Sequence, residues 1–289
     1  MPIWSLLVYV PVTCWVFNPR SWLKVRGSLD FAGGTSIHVN AGIAALVAAV
    51  MLGKRRGWPG ESFLPHSMPL VLIGTGILWL GWFGFNAGSA GAADGHALVA
   101  LMATFMASSA GGLGWVLMER LRDGSFTTLG AASGIVAGLV AITPACAYVD
   151  PMGAIAIGLI AGAICSQAVS LKRRFGYDDS LDVVGVHFVG GLVGSLLIGF
   201  FSNPGATGWG EEVEAGLLFG GGPGLLVEQF LANLATIVFS GVMTAAILYA
   251  ISVTIGLRVD DDTEAEGLDA AEHAETAYHQ AGLAIGSRS

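Results

Sequence analysis

Charge is what this chain has least of. Only 12% of its 289 residues are charged, against a hydrophobic share of 54% and a mean hydropathy of +0.69. Soluble domains carry about 25% charged residues, so a soluble globular fold is excluded and an integral membrane protein is expected. Basic residues never run beyond three in a row, as in Lys54-Arg55-Arg56 and Lys172-Arg173-Arg174. That is too little to follow a phosphate backbone, and no nucleic-acid partner is expected. Cysteine is scarce as well. Cys14, Cys146 and Cys165 include no C-x-x-C pair and are odd in number, which argues against a disulfide framework and against a zinc site. They read as buried thiols. No stretch shows the ten-residue alternation of a barrel strand.

What the chain does have is long apolar runs. Seven reach the roughly 20 residues a helix needs to cross the hydrocarbon core: 31–53, 69–92, 97–118, 127–148, 152–171, 183–202 and 226–256. A partial run covers 1–17. The fold class is therefore all-α, a polytopic membrane helix bundle. The 43 glycines would weaken soluble helices, but in a membrane they let backbones approach closely. Met1-Pro2-Ile3-Trp4 enters an apolar run with no basic stretch before it and no small-residue cleavage site after it. This is a poor signal peptide; residues 1–17 read instead as the last part of a helix whose beginning lies upstream. Residues 1–257 form the membrane domain and 258–289 a polar tail that reads as solvated.

Loop charges orient the bundle. Lys54-Arg55-Arg56, Arg120 with Arg122, and Lys172-Arg173-Arg174 fall on one side if every run crosses once. The excess of positive charge makes that side, and the tail, cytoplasmic, which puts the protein in the cell membrane. Asp94, Asp150, Glu211, Glu212 and Glu214 occupy the other side, where Arg20, Lys24 and Arg26 are the exception. Residues from about 203 to 223 make an outer loop. The last run is long enough to tilt across the outside of the bundle. Glu228 sits near its outer end, where snorkelling or a polar neighbour is the ordinary explanation.

Two histidines lie inside these runs, and related phrases precede them: Leu29-Asp30-Phe31-Ala32-Gly33-Gly34-Thr35-Ser36-Ile37-His38 and Leu181-Asp182-Val183-Val184-Gly185-Val186-His187. A titratable side chain inside a membrane is costly and by default marks an ion or proton pathway. The two runs cross in opposite directions, as in an inverted repeat with a site near the midplane. At ~1.5 Å per residue His38 lies about 12 Å beyond Asp30, close to the middle of a core about 30 Å thick. With no carboxylates beside them, the histidines lack the ligands of a metal site. A neutral pair in an apolar passage can donate and accept hydrogen bonds and pass on one proton.

A second cluster is Gly81-Trp82-Phe83-Gly84-Phe85-Asn86-Ala87-Gly88-Ser89-Ala90-Gly91, at the outer end of its run. Phe85 and Ser89 share a helix face. Aromatic rings attract a cation, worth ~0.5–2 kcal/mol, and a hydroxyl replaces one water of its shell; taken alone, the cluster is read more simply as an interfacial aromatic belt. Trp15 and Phe17, also near the outer face, would form another wall of that vestibule or belong to the same belt.

Taken together these residues resemble the ammonium transporter family (Amt/Mep/Rh). The motifs are Asp30-Phe31-Ala32-Gly33-Gly34-Thr35 with His38-Val39-Asn40-Ala41-Gly42, Trp82 to Ser89, Thr143-Pro144-Ala145-Cys146, and Asp182 to His187. Gly256-Leu257-Arg258-Val259, Glu266-Gly267-Leu268-Asp269 and His273-Ala274-Glu275 look like the family's cytoplasmic C-terminus. The resemblance spans essentially the whole chain. It implies a bundle of eleven helices with an inverted repeat, a homotrimer, and one pore per subunit for ammonium or ammonia. No cofactor and no enzymatic activity are implied. His38 and His187 match the twin pore histidines, Phe85 a gate phenylalanine, and Trp82 a pore wall. Ser89 and an aromatic of the Trp15/Phe17 pair match the outer recruitment site. Asp30 matches an acid thought to act structurally or electrostatically, and we assign Asp182, its apparent counterpart in the second half, the same kind of role. The first three helices of the family, with the other gate phenylalanine, have no counterpart here, so about 7–8 of eleven helices are expected. The expected outcomes are an N-terminally truncated transporter, a sensor that reports to a PII-type protein through its tail, or a non-functional fragment.

Overall fold

The computed structural model describes residues 1–61 and 63–276. Among these residues the chain is a bundle of helices with no strand. Helix α1 covers 2–17. It is followed by α2 (Gly34–Leu52), α3 (Met68–Gly88), α4 (Gly95–Asp123), α5 (Thr128–Ile142), α6 (Pro151–Phe175), α7 (Val184–Phe201) and α8 (Gly224–Thr254). Two short helices, α9 (Asp261–Glu266) and α10 (Leu268–His273), lie in the tail. Six of these helices are long and apolar enough to cross a membrane.

The exception among the seven expected spans is α5. It ends at Ile142, and Thr143-Pro144-Ala145-Cys146-Ala147-Tyr148 follow as consecutive turns buried in the bundle. Proline cannot continue the hydrogen-bond ladder of a helix, and here the break is used: the Pro144 carbonyl accepts from the Phe31 N–H at 3.1 Å.

Helix starts follow the sequence closely. Asp94, Thr127 and Asp150 each accept from a backbone N–H of the following first turn, which satisfies donors that a helix leaves open. α4, α5 and α6 then pack backbone to backbone. A Cβ added to Gly111 would run into Gly134 and Gly138 of α5, and one at Gly162 into Gly111 itself. Small residues permit this approach, which is how membrane helices gain van der Waals contact.

The expected basic clusters meet at one end of the bundle. Arg55 pairs with Asp178, and Arg122 donates to the Ser166 carbonyl at 2.7 Å. Arg258 donates to the carbonyls of Leu52 and Lys54. The start of the tail is docked there rather than merely solvated: Glu264 accepts from the Arg56 N–H at 3.0 Å and pairs with Arg258. Residues 277–289 of the expected tail lie outside the described residues. At the opposite end the 203–223 loop is folded down on the bundle. Trp209 stacks on His96 at 3.9 Å between ring centroids and donates to the Ala147 carbonyl at 2.7 Å. Glu228 has its polar neighbour, a bidentate pair with Arg26 at 2.7 and 2.9 Å.

Candidate functional site

α2 and α7 lie antiparallel at the centre. The end of α2 and the start of α7 share the basic end, where Arg55 meets Asp178. Each helix opens on a π-helical segment, Gly34–Val39 in one and Val184–Phe188 in the other, and each segment holds a histidine. Such wide turns inside helices recur at functional sites. A carboxylate caps each start. Asp30 accepts from the N–H groups of Gly33, Gly34, Thr35 and Ser36 at 2.7–3.1 Å. Gly33, at φ 112°, supplies the left-handed turn that brings those donors round. In the second half the cap is Asp179, accepting from Val183 and Val184 at 3.0 and 2.7 Å.

This corrects the match read from the two phrases. Asp182 is not the counterpart of Asp30; it makes an ion pair with Lys172. Asp179 is the counterpart, and it stands eight positions before His187 as Asp30 stands eight before His38. The equal spacing is legible in the sequence, but the adjacent Leu-Asp pairs hide it.

Four residues past each histidine is a glycine, and the helices cross on these two. A Cβ at Gly42 would strike Phe188, the neighbour of His187, while one at Gly191 would crowd Gly34 and His38. The rings consequently meet: His38 Nδ1 and His187 Nδ1 are 3.3 Å apart, a hydrogen bond in which one ring donates and the other accepts. His38 is 4% exposed, and its Nε2 has no hydrogen-bond partner among the described residues.

Helix α3 supplies the aromatic side of the site. Trp82 stacks on His38 with centroids 5.4 Å apart and planes 15° from parallel. Phe85 lies 5.4 Å from Trp82 and 6.3 Å from His38, and is 40% exposed. Trp82 is held by Thr143 in the turn after α5, whose hydroxyl accepts from the indole N–H at 3.0 Å. Charge and periodicity give a buried Thr in an apolar run no signal, and Thr143 stands out only within the motif Thr143-Pro144-Ala145-Cys146, without a role. One turn beyond Phe85, exposed Ser89 donates to the Phe85 carbonyl at 2.8 Å.

Trp15 and Phe17 are not joined to this cluster. Trp15 packs against Phe239 of α8 at 4.7 Å and Trp22 at 6.0 Å. Phe17 is 38% exposed, and no hydrogen bond or ring contact among the described residues links either one to Ser89 or Phe85. On the other side of the histidines, a cavity of about 610 Å³ opens toward the basic end, lined by His187, Val186, Asp182, Ser180 and Arg55.

Behind the site a buried network fixes α2, α7 and α8 together. Gln229 accepts from the Leu29 N–H at 2.7 Å and donates to the Leu29 carbonyl at 2.8 Å. Asn233 donates to Ser195 Oγ at 2.8 Å and accepts from Thr35 at 3.2 Å. Buried amides are tolerated when every group is matched.

The fold and the site define a polytopic membrane protein with an inverted pair of helices and a buried histidine couple walled by aromatics. Comparison with known proteins names the group. The Ammonium Transporter Family model matches residues 1–278, and the chain belongs to that family. It is 50% identical over 286 residues to an ammonium transporter of Mycobacterium tuberculosis, an alignment covering 96% of this chain and 60% of that one. The crystal structure of Candida albicans Mep2 superposes with a TM-score of 0.84 at 35% identity, covering 90% of this chain and 59% of the other. A structure described as a sensor Amt protein gives 0.84 at 29% identity, covering 93% and 68%. The chain thus spans 60–68% of the length of the curated relatives it matches.

Proposed function

We propose that this protein moves ammonium across the cell membrane by passing it through the histidine couple as ammonia. The observation that carries the reading is His38 Nε2, a buried ring nitrogen with no partner among the described residues, on a ring bonded to His187 and stacked on Trp82. A bare cation at that depth is heavily penalised. Ammonium avoids the penalty by releasing its proton, whereas sodium and potassium have none to release. The neutral molecule then hydrogen-bonds to the open nitrogen, and the bonded ring pair offers the proton a short relay.

Phe85 acts as the gate and Trp82 as the wall. Ser89, with Trp15 or Phe17, gathers the cation outside. The packing of Trp15 on Phe239 favours Phe17, the more open of the two. Asp30, capping the start of α2, and Asp182, paired with Lys172, hold structure and field. The assembly is a homotrimer with a cytoplasmic C-terminus, and the docked tail offers a surface to a PII-type signalling protein.

Ammonium-evoked current across proteoliposomes tests this. Current is expected from the chain and is expected to vanish or lose its selectivity over potassium in His38→Ala and His187→Ala. Full current with unchanged selectivity in the double variant would refute the reading. The likeness to a sensor Amt protein favours a second reading, in which the same vestibule binds ammonium and the tail reports occupancy. Ammonium binding without current, accompanied by a change in the tail, would favour it.

A further inference from the structure

The buried face of α8 carries a stripe of polar side chains: Gln229, Asn233, Thr236, Ser240 and Thr244. Toward the outer end Gln229 and Asn233 are fully engaged, as described. At the inner end the Thr244 hydroxyl accepts from the Trp4 indole N–H at 2.9 Å. Between them the hydroxyls of Thr236 and Ser240 have no partner among the described residues, although both residues are 0% exposed. Asn40 Oδ1 on α2, another wholly buried residue, and Thr13 Oγ1 on α1 are likewise unmatched.

The register of the three helices sets these four groups at one level. α2 and α8 run side by side in the same direction: Thr35 bonds to Asn233, and eight positions on Ile43 faces Gly241. Asn40 therefore falls between Thr236 and Ser240. α1 runs the other way, with Trp4 bonded to Thr244 and Val16 packed in the same apolar cluster as Ala232. Thr13 then lies beside Thr236. Buried polar groups are almost always matched, and internal water takes that role where two to four of them converge.

We propose that Thr13, Asn40, Thr236 and Ser240 form a buried site for ordered water at the back of the helix that carries His38. Its ligand class is a small neutral molecule that both donates and accepts hydrogen bonds. Asn40 follows His38 by two positions, and its amide already donates to the Ser36 carbonyl at 3.1 Å. This spans the junction where the π-helical segment gives way to α-helix. Water on the other end of the same amide fixes that junction, so Asn40 is a positioning residue for the His38 ring.

A cryo-EM map of the whole chain in lipid nanodiscs, at a resolution that shows ordered water, tests the site directly. Density within hydrogen-bonding reach of Asn40 Oδ1 and of both hydroxyls is expected. A map with no such density, and with the hydroxyls turned onto carbonyls of their own helix, would overturn the proposal. The near-isosteric variants Thr236→Val and Ser240→Ala give a second reading. In a wet site each strands its neighbours, and the thermal midpoint falls by about 3 °C. A dry site loses an unmatched group and gains stability or stays level, which would count against the proposal. Neither readout depends on transport, so failure of the site and failure of the transport reading are distinguishable. For positioning, Asn40→Leu should lower the maximal ammonium flux at an unchanged half-saturating concentration; flux equal to that of the parent chain would remove the role.

Discussion

At Gly42 a single hydrogen atom sets the distance between two helices. Its missing side chain is the space that Phe188 fills, and Gly191 does the same for His38 on the other side. Without both spaces the rings could not meet at 3.3 Å. Gly42→Ala is therefore expected to destabilise the bundle by about 1–3 kcal/mol, the usual cost of overpacking. Gly74→Ala, whose Cβ meets nothing within 4 Å, should be neutral or slightly stabilising through helix propensity. Denaturant titration of the two variants compares them, and an equal loss would contradict the packing account. The histidines themselves were legible in the sequence, because an ionisable group inside an apolar run stands out. Trp15 was not, since its environment is set by Phe239, far away along the chain.

At the scale of elements, the helix that holds His187 starts where Asp179 puts it. Two backbone donors of its first turn end on that carboxylate. Asp179→Ala should cost about 1 kcal/mol, as loss of a helix cap does, and should also shift the His187 ring, read as a changed imidazole resonance. Asp182→Asn removes a partly exposed pair with Lys172 and should leave that resonance in place. A larger displacement from Asp182→Asn would reverse the assignment. The same scale explains why α5 is shorter than its apolar run. Hydropathy measures how long a stretch is oily, not where its backbone stops being helical. Pro144 ends the ladder, and the buried turn that follows finds its partners in other segments, among them Phe31 and Asn203.

For the whole molecule, the two halves are tied at the basic end by Arg55 and Asp178. The guanidinium donates to both carboxylate oxygens at 2.8 Å, and the Arg55 N–H adds a third bond at 2.9 Å. Burial pushes the Asp178 pKa up, but these bonds outweigh it and hold the carboxyl below its usual range. A carboxyl depressed by folding contributes its full stability above the unfolded value, about pH 4, and loses it as pH falls through the folded value. The thermal midpoint should therefore drop as pH falls below about 4, and Asp178→Asn should flatten that part of the profile. A variant profile that parallels the parent's would show that other carboxylates govern the acid limb. The tail leans on the same region, through Glu264 on Arg56.

The sequence by itself determined the class of the protein: scarce charge and runs near 20 residues leave only a membrane helix bundle, and local composition is enough to say so. It determined the family, which rests on short contiguous motifs, and it set His38 and His187 apart as ionisable groups inside apolar runs. Tertiary structure decided the rest. Which carboxylate caps the second half, what Trp15 packs on, where the tail docks and which buried hydroxyls lack partners among the described residues all depend on contacts between segments distant in the chain. A buried polar group is defined by what surrounds it, and its surroundings exist only once the helices have packed.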